Sequence, residues 1–280
     1  MSTAQKVIKY LAIAFGIFLS VTIISAIVMG VLTFTNIFVS DDSVDSNDKD
    51  INLTDYYEKE FDKEDVEKLN VEVDVSKFSI LKGDKLKIEA SNAYNTFNSY
   101  VEDNVLVISE NIDLDNKFFK STKTSNITLY IPEDFKFDSV TINSGVGNID
   151  VDNIKTDKLD VTFGTGNFEA SNITANETKF KGGVGELNIT ESNLGKLDFK
   201  AGVGDSKVET ELSSGSKIES GVGNVTLTLL DEKENYYFDI EAGLGNIILD
   251  AQKVKNGTYG DKEAKDVDIK GGIGNIKIKF

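Results

Sequence analysis

The chain has 280 residues, 47 of them Asp or Glu against 30 basic residues, all Lys, for a formal charge of −17. It contains no Arg, His, Cys or Trp and a single Pro, Pro132. These absences exclude disulfide frameworks, thiolate zinc sites, thiol nucleophiles and bidentate guanidinium clamps, and they remove the commonest general base. The acidic balance also excludes nucleic acid, which requires a basic face.

From Tyr10 to Ser40 no residue is charged. A run of about 20 apolar residues spans a bilayer, and a cleaved signal peptide needs only about 7–15. Residues 10–40 therefore predict an uncleaved transmembrane α-helix that makes the membrane the first partner. Lys6 and Lys9 precede the run and the acidic stretch DDSVDSNDKD follows it. The positive-inside rule then places the N-terminus in the cytoplasm and the remainder outside, a single-pass cell-membrane topology. All 47 acidic residues lie after Ser40. Residues 1–40 read as cytoplasmic stub plus anchor, and 41–65 as an acidic juxtamembrane linker. Within LTDYYEKEFDKEDVEK (53–68), Thr54 as N-cap and the four-residue spacing of Tyr57 and Phe61 suggest a short helix.

From residue 66 the period becomes two. LNVEVDV, FSILKG, KLKIEAS, NVLVISE and NITLYI alternate or are β-rich, with a hairpin turn expected at Gly83-Asp84. This strand-rich start, 66–139, shows no fixed repeat. Over 140–280 a motif recurs, Gly-x-Gly followed by Asn, Asp or Glu, beginning at Gly145, Gly164, Gly183, Gly202, Gly221, Gly243 and Gly272, at spacings of 19, 19, 19, 19, 22 and 29. Repeats of this length signal stacked supersecondary units.

Three residues before each motif stand Ile142, Val161, Phe180, Phe199, Ile218, Ile240 and Ile269; four after its first Gly stand Ile149, Phe168, Leu187, Ser206, Val225, Ile247 and Ile276. Each flank alternates like a strand with one buried face, but the two alternations are out of phase. The chain must turn a corner at the motif, so the corner residues are Gly145, Gly147, Asn148; Gly164, Gly166, Asn167; Gly183, Gly185; Gly202, Gly204; Gly221, Gly223, Asn224; Gly243, Gly245, Asn246; and Gly272, Gly274, Asn275. A second turn is expected in each unit at DNIKTDK, SNITANE, ESNLGK and TELSSGS. The expected fold class is all-β, a single-stranded β-solenoid with 19-residue rungs of two strands and two turns, preceded by the N-terminal transmembrane α-helix. Rungs stacked about 4.8 Å apart give a rod of roughly 34 Å. One outward position reads Asp160, Lys179, Asp198, Lys217, Asp239, alternating in sign as an in-register stack requires.

The apolar anchor, LNVEVDVSKFSILKGDKLKIEAS and the repeated SGVGN units together resemble the bacterial putative-adhesin family of β-strand repeats, over roughly residues 66–280. The chain departs from related rungs by placing Val, Leu or Ile between the glycines and by favouring Asn over Asp. The resemblance implies a β-solenoid at the bacterial envelope and implies no reaction and no functional residues.

For chemistry, the post-glycine column contains two carboxylates, Glu186 and Asp205, the only metal candidates; calcium prefers several carboxylates per site, so the column reads foremost as turn residues. No third Gly or following helix completes a nucleotide fingerprint, and no cofactor is expected. Acidic residues in the two longer units, Asp231, Glu232 and Glu234, then Asp261, Glu263 and Asp266, could supply a carboxylate pair for glycoside hydrolysis on loops, although acidic loops are usually solvated loops. The Asn-x-Thr triplets follow from composition. The aromatic pairs Phe118, Phe119 and Tyr236, Tyr237 read as packing or partner contacts. The terminal GNIKIKF would expose a pairing edge, guarded by Lys277 and Lys279 or open to a second copy. The functional expectation is a membrane-anchored, extracellular, non-catalytic binding, adhesion-type or structural module for an envelope protein or polysaccharide. The alternatives are an envelope-sensing accessory coupled through its membrane helix to a partner, and a carbohydrate-active enzyme.

Overall fold

A computed structural model describes residues 53–111 and 124–280, which fall within one compact unit. The expected membrane span at 10–40 and the Phe118-Phe119 pair lie outside the described residues. Among the described residues no helix is long and apolar enough to cross a membrane. Apart from two single-turn 3-10 helices, Lys63–Asp65 and Lys233–Asn235, every regular element among them is a strand. The chain is all-β.

Its centre is a ladder of parallel pairs offset by 19 residues. Ile149 pairs with Phe168, Phe168 with Leu187, Leu187 with Ser206 and Ser206 with Val225. The residues flanking each glycine motif, from Ile142 to Ile269 and from Ile149 to Ile276, are buried, so both out-of-phase alternations face one core. Aromatic rings run along that core: Phe168 and Phe180 lie 4.8 Å apart edge to face, and Phe180 and Phe199 5.8 Å apart. Full burial of each such side chain contributes about 1.5–3 kcal/mol.

Each regular rung has three sides, where the sequence suggests two strands and two turns. In the strand Ile149–Thr165 the inward residues are Ile149 and Val151, then Ile154 and Thr156, then Leu159, Val161 and Phe163. Inward parity slips twice, at Asp152-Asn153 and at Asp157-Lys158. The single turn expected in DNIKTDK is therefore two bends, through which the strand stays paired. The first bend falls on Asn153, Asn172 and Glu191, all left-handed with φ of 63°, 55° and 49°; Asn tolerates this backbone, which admits the bend without breaking the ladder.

Both ends of the ladder depart from chain order. At the C-terminal end the Gly221 rung (each rung being named for the first glycine of its motif) pairs with the Gly272 rung, Val225 against Ile276, and the Gly272 rung pairs with the Gly243 rung, Ile276 against Ile247. The last strand, Ile276–Lys279, is thus flanked on both sides. The expectation that GNIKIKF exposes a pairing edge is corrected: the Gly243 rung is outermost, and antiparallel strands Gln252–Val254 and Gly257–Tyr259 cover it. The irregular spacings have the same cause. Three extra residues before Gly243 carry the chain past one rung position, and the 29-residue return brings it back into the gap.

The N-terminal end repeats the device. Strand Lys68–Gly83 lies between strands Val105–Glu110 and Ser125–Pro132 on one edge and Phe137–Val146 and Ile149–Thr165 on the other, all parallel. Ser125–Pro132 also pairs antiparallel with Lys87–Tyr94. Gly83-Asp84 is therefore no hairpin turn, because the strands it joins are separated by a third. Residues 53–65, expected to be linker with a short helix, instead form strand Leu53–Glu60, antiparallel to Lys87–Tyr94, and one 3-10 turn. A helix of so few residues cannot repay its nucleation, whereas the open edge of Lys87–Tyr94 offers seven pairings, and Tyr57 packs edge-on at 5.1 Å against Phe97 while its hydroxyl bonds Ser99.

Candidate functional site

The glycine corners are a structural spine. At Gly185 the backbone has φ of +143°, and a Cβ there would fall on the Gly166 carbonyl oxygen of the rung below; the same close approach recurs up the column. The corner strands touch backbone to backbone, and this approach, beyond the turn itself, excludes side chains. The Asn column bonds along the stack. Asn148 Oδ1 accepts the Asn167 N–H at 3.0 Å, Asn167 Oδ1 the Glu186 N–H at 3.1 Å, and Asp205 Oδ1 the Asn224 N–H at 2.8 Å. The run continues in ladder order, Asn224 to Asn275 and Asn275 to Asn246. Glu186 and Asp205 occupy adjacent places in this column; Asp205 also accepts the Asn224 side-chain amide at 3.1 Å. Among the described residues no group of three or more acidic side chains is placed to hold a metal ion.

The loop carboxylates hold loops together. Asp231 accepts from Lys265 at 2.7 Å and from Asn235 at 2.7 Å, and Asp266 accepts from Ser214 and from the Gly215 N–H. The Lys265 hydrogen bond holds the Asp231 carboxyl below its usual range, and the Ser214 hydroxyl does the same for Asp266. A glycosidase acid needs the opposite shift. Tyr236 is fully buried against Phe238, with centroids 5.9 Å apart, and is a core residue.

The long third side of the rungs is chemically richer. Its outward residues form a checkerboard: Lys158 and Asp160, then Glu177 and Lys179, then Lys196 and Asp198, then Lys217. The sign alternates from rung to rung in both columns, Lys158, Glu177, Lys196 and Asp160, Lys179, Asp198, Lys217, and the two charges on each of the first three rungs are opposite. Among the described residues no direct ion pair consumes these seven charges. They line a concavity of about 500 Å³ together with Thr141, Thr178 and Gly215. On a chain of net −17 this strip of four Lys against three carboxylates is locally cationic. It presents donors and acceptors on a rigid sheet face about 4.8 Å apart from rung to rung. Sequence reading found one column of this face and missed its neighbour, Lys158, Glu177 and Lys196, because those residues sit in the segment assigned to the mid-rung turn.

The comparison with protein families decides the chain's kinship: the model described as Toastrack DUF4097 matches residues 40–279. The chain belongs to this family. Among solved structures similar to the Toastrack chain, one titled a putative cell adhesion protein from Clostridium sporogenes shares 20% identity, covering 80% of this chain and 98% of that one, with a TM-score of 0.39. Another, a putative adhesin from Bacteroides fragilis, shares 17% identity, covering 80% and 96%, with a TM-score of 0.43. No curated protein matches this Toastrack chain.

Proposed function

We propose that this Toastrack chain is a non-catalytic binding module of the bacterial envelope: a β-solenoid of 19-residue rungs, held to the cell membrane by a helix within residues 10–40, with residues 53–280 outside. The ligand we assign to it is a polyhydroxylated envelope polymer, taken along the checkerboard face. The observation that carries this reading is the concave strip of Lys158, Lys179, Lys196 and Lys217 interleaved with Asp160, Glu177 and Asp198. Ammonium groups donate to hydroxyl and ring oxygens while carboxylates accept from hydroxyls, and charge-assisted hydrogen bonds of this kind contribute about 1.5–3 kcal/mol each. A single long face supports many weak contacts along an extended polymer, as non-catalytic capture requires.

The test is co-sedimentation of the full-length protein with insoluble wall polysaccharide. Lys179→Glu and Asp198→Lys should each weaken binding by about tenfold, the loss of one such bond. Undiminished binding by both variants would remove the face from the account. Release of reducing ends during the incubation would overturn the non-catalytic reading.

A further inference from the structure

The middle residue of each corner motif points outward, and the column it makes changes character along the ladder. Val203, Val222, Ile273 and Leu244 are bridged in that order, and their exposures are 39%, 46%, 54% and 75%. Four consecutive rungs thus carry an uncovered aliphatic ridge on an otherwise charged surface, at the end of the ladder remote from strand Leu53–Glu60. Single exposed aliphatics need no explanation, but a contiguous row marks a contact. None of the residues lining the checkerboard concavity lies on it.

The flanks say what covers the ridge. On one side, in ladder order, stand Lys200, Glu219, Lys270 and Glu241. On the other stand Asp205, Asn224, Asn275 and Asn246. The charged flank is antisymmetric about its midpoint, so a two-fold axis perpendicular to the ridge, between Val222 and Ile273, sets opposite charges against each other. Lys200 then meets Glu241 of the second copy, Glu219 meets Lys270 of the second copy, and each pair occurs twice. The same axis sets Val203 against Leu244 and Val222 against Ile273 of the second copy, short against long. On the amide flank Asp205 meets Asn246, again without a like-charge contact. A two-fold axis along the ridge instead matches Val with Val and Leu with Leu and brings only Lys200 to a carboxylate, Asp205.

We infer that the ridge is a self-association surface, closed by a second copy of this chain in antiparallel, ridge-to-ridge C2 contact. The symmetry is isologous, so it stops at the dimer. A ridge four rungs long spans only about 14 Å, which puts the contact below about 1,200 Å² and the dimer in the weak, micromolar class. The inference does not rest on the polymer-binding reading.

The full-length chain in detergent, followed by sedimentation velocity up to about 500 µM, should pass from monomer to dimer in the micromolar range. Leu244→Asp, at the most exposed position, should raise the dissociation constant at least tenfold. Lys200→Glu should do the same, and adding Glu241→Lys to it should restore association to within about threefold. Because the natural chain lacks Cys, geometry is separable: a mixture of Val203→Cys and Leu244→Cys proteins should form an intermolecular disulfide. A monomer at every concentration, a dimer indifferent to Leu244→Asp, failure of the charge exchange to rescue, or self-linking of Val203→Cys alone would each overturn the inference.

Discussion

Gly185 and Gly257 share a backbone φ of +143°, but a Cβ at Gly185 falls on the Gly166 carbonyl and one at Gly257 meets nothing within 4 Å. Gly257→Ala should cost only the backbone strain, about 1–3 kcal/mol, whereas Gly185→Ala adds displacement of the neighbouring rung, a further cost of about 1–3 kcal/mol. Urea unfolding of the two variants measures the difference, and equal losses would mean that backbone contact between corners does not govern the motif. Glu110 poses a different problem. It is fully buried; Oε1 accepts from the Ser125 hydroxyl at 2.6 Å and the Tyr94 N–H at 3.1 Å, while Oε2 has no hydrogen-bond partner among the described residues. Burial pushes its carboxyl above the usual carboxylate range, opposed by the Ser125 and Tyr94 bonds and aided by the charge of Asp74. A folded-state pKa raised for an acid means that the folded form holds the proton more tightly, so this group's stabilisation is complete at low pH and is lost as pH rises from about 4.3, the unfolded value, through the folded value. Glu110→Gln should therefore melt higher than the natural protein at pH 8, with the gap closing toward pH 4; a gap independent of pH would contradict the assignment. Position 110 gave no signal in the sequence, since in NVLVISE it reads as a polar end to a strand, and only the fold buries it.

At the scale of the strand, the repeating element was legible wherever the period held. Alternation on either side of Gly-x-Gly identified the inward residues from Ile142 to Ile278, and the ring of Phe180 meets that of Phe199 as a 19-residue stack requires. Phe180→Ala should cost about 3–5 kcal/mol, read from the urea midpoint, because neighbouring rungs cannot collapse into the void without breaking register. What stayed hidden were features with no period of their own. The two bends of each rung share one polar segment, and no propensity separates Asn153 from Asp157 as bend positions. The outward direction of Val203 and Leu244 was equally illegible, since parity breaks at the corner and leaves the middle residue unassigned. Strand Leu53–Glu60 reads as helix or linker because its strand character comes from a distant partner, Leu53 pairing with Tyr94 and Glu60 with Lys87. The charge column shows the same limit. Read in chain order Lys217 meets Asp239, but in the ladder it meets Asp268, which then faces Asp239. Asp239→Lys should restore alternation and stabilise by about 0.2–1 kcal/mol, detectable as a small rise in melting temperature that high salt removes.

Across the whole described ladder, both ends are finished by inserting one run of chain between two others and covering the outermost with antiparallel strands. Lys68–Gly83 fills this place at one end and the Gly272 rung at the other. The arrangement leaves no long parallel edge free to recruit another chain, the hazard of open ladders. It also holds strand Ile276–Lys279 inside the stack, so the outermost rung cannot fray without disturbing the strand beneath. The unequal spacings of 22 and 29 carry this information in the sequence, because a step over one rung and a return into the gap both need extra chain, but a spacing alone does not tell an outward loop from a reversal of order. Disulfide trapping in the Cys-free chain tests the order most directly. Partners on adjacent rungs are within the 4.4–6.8 Å that a disulfide spans, and residues two rungs apart, about 9.6 Å, are not. With cysteines at 217 and 268 the protein should cross-link rapidly under mild oxidation, and with cysteines at 217 and 239 it should stay reduced; rapid linkage of 217 to 239 with none to 268 would mean that the rungs follow chain order and that the inserted Gly272 rung is wrong.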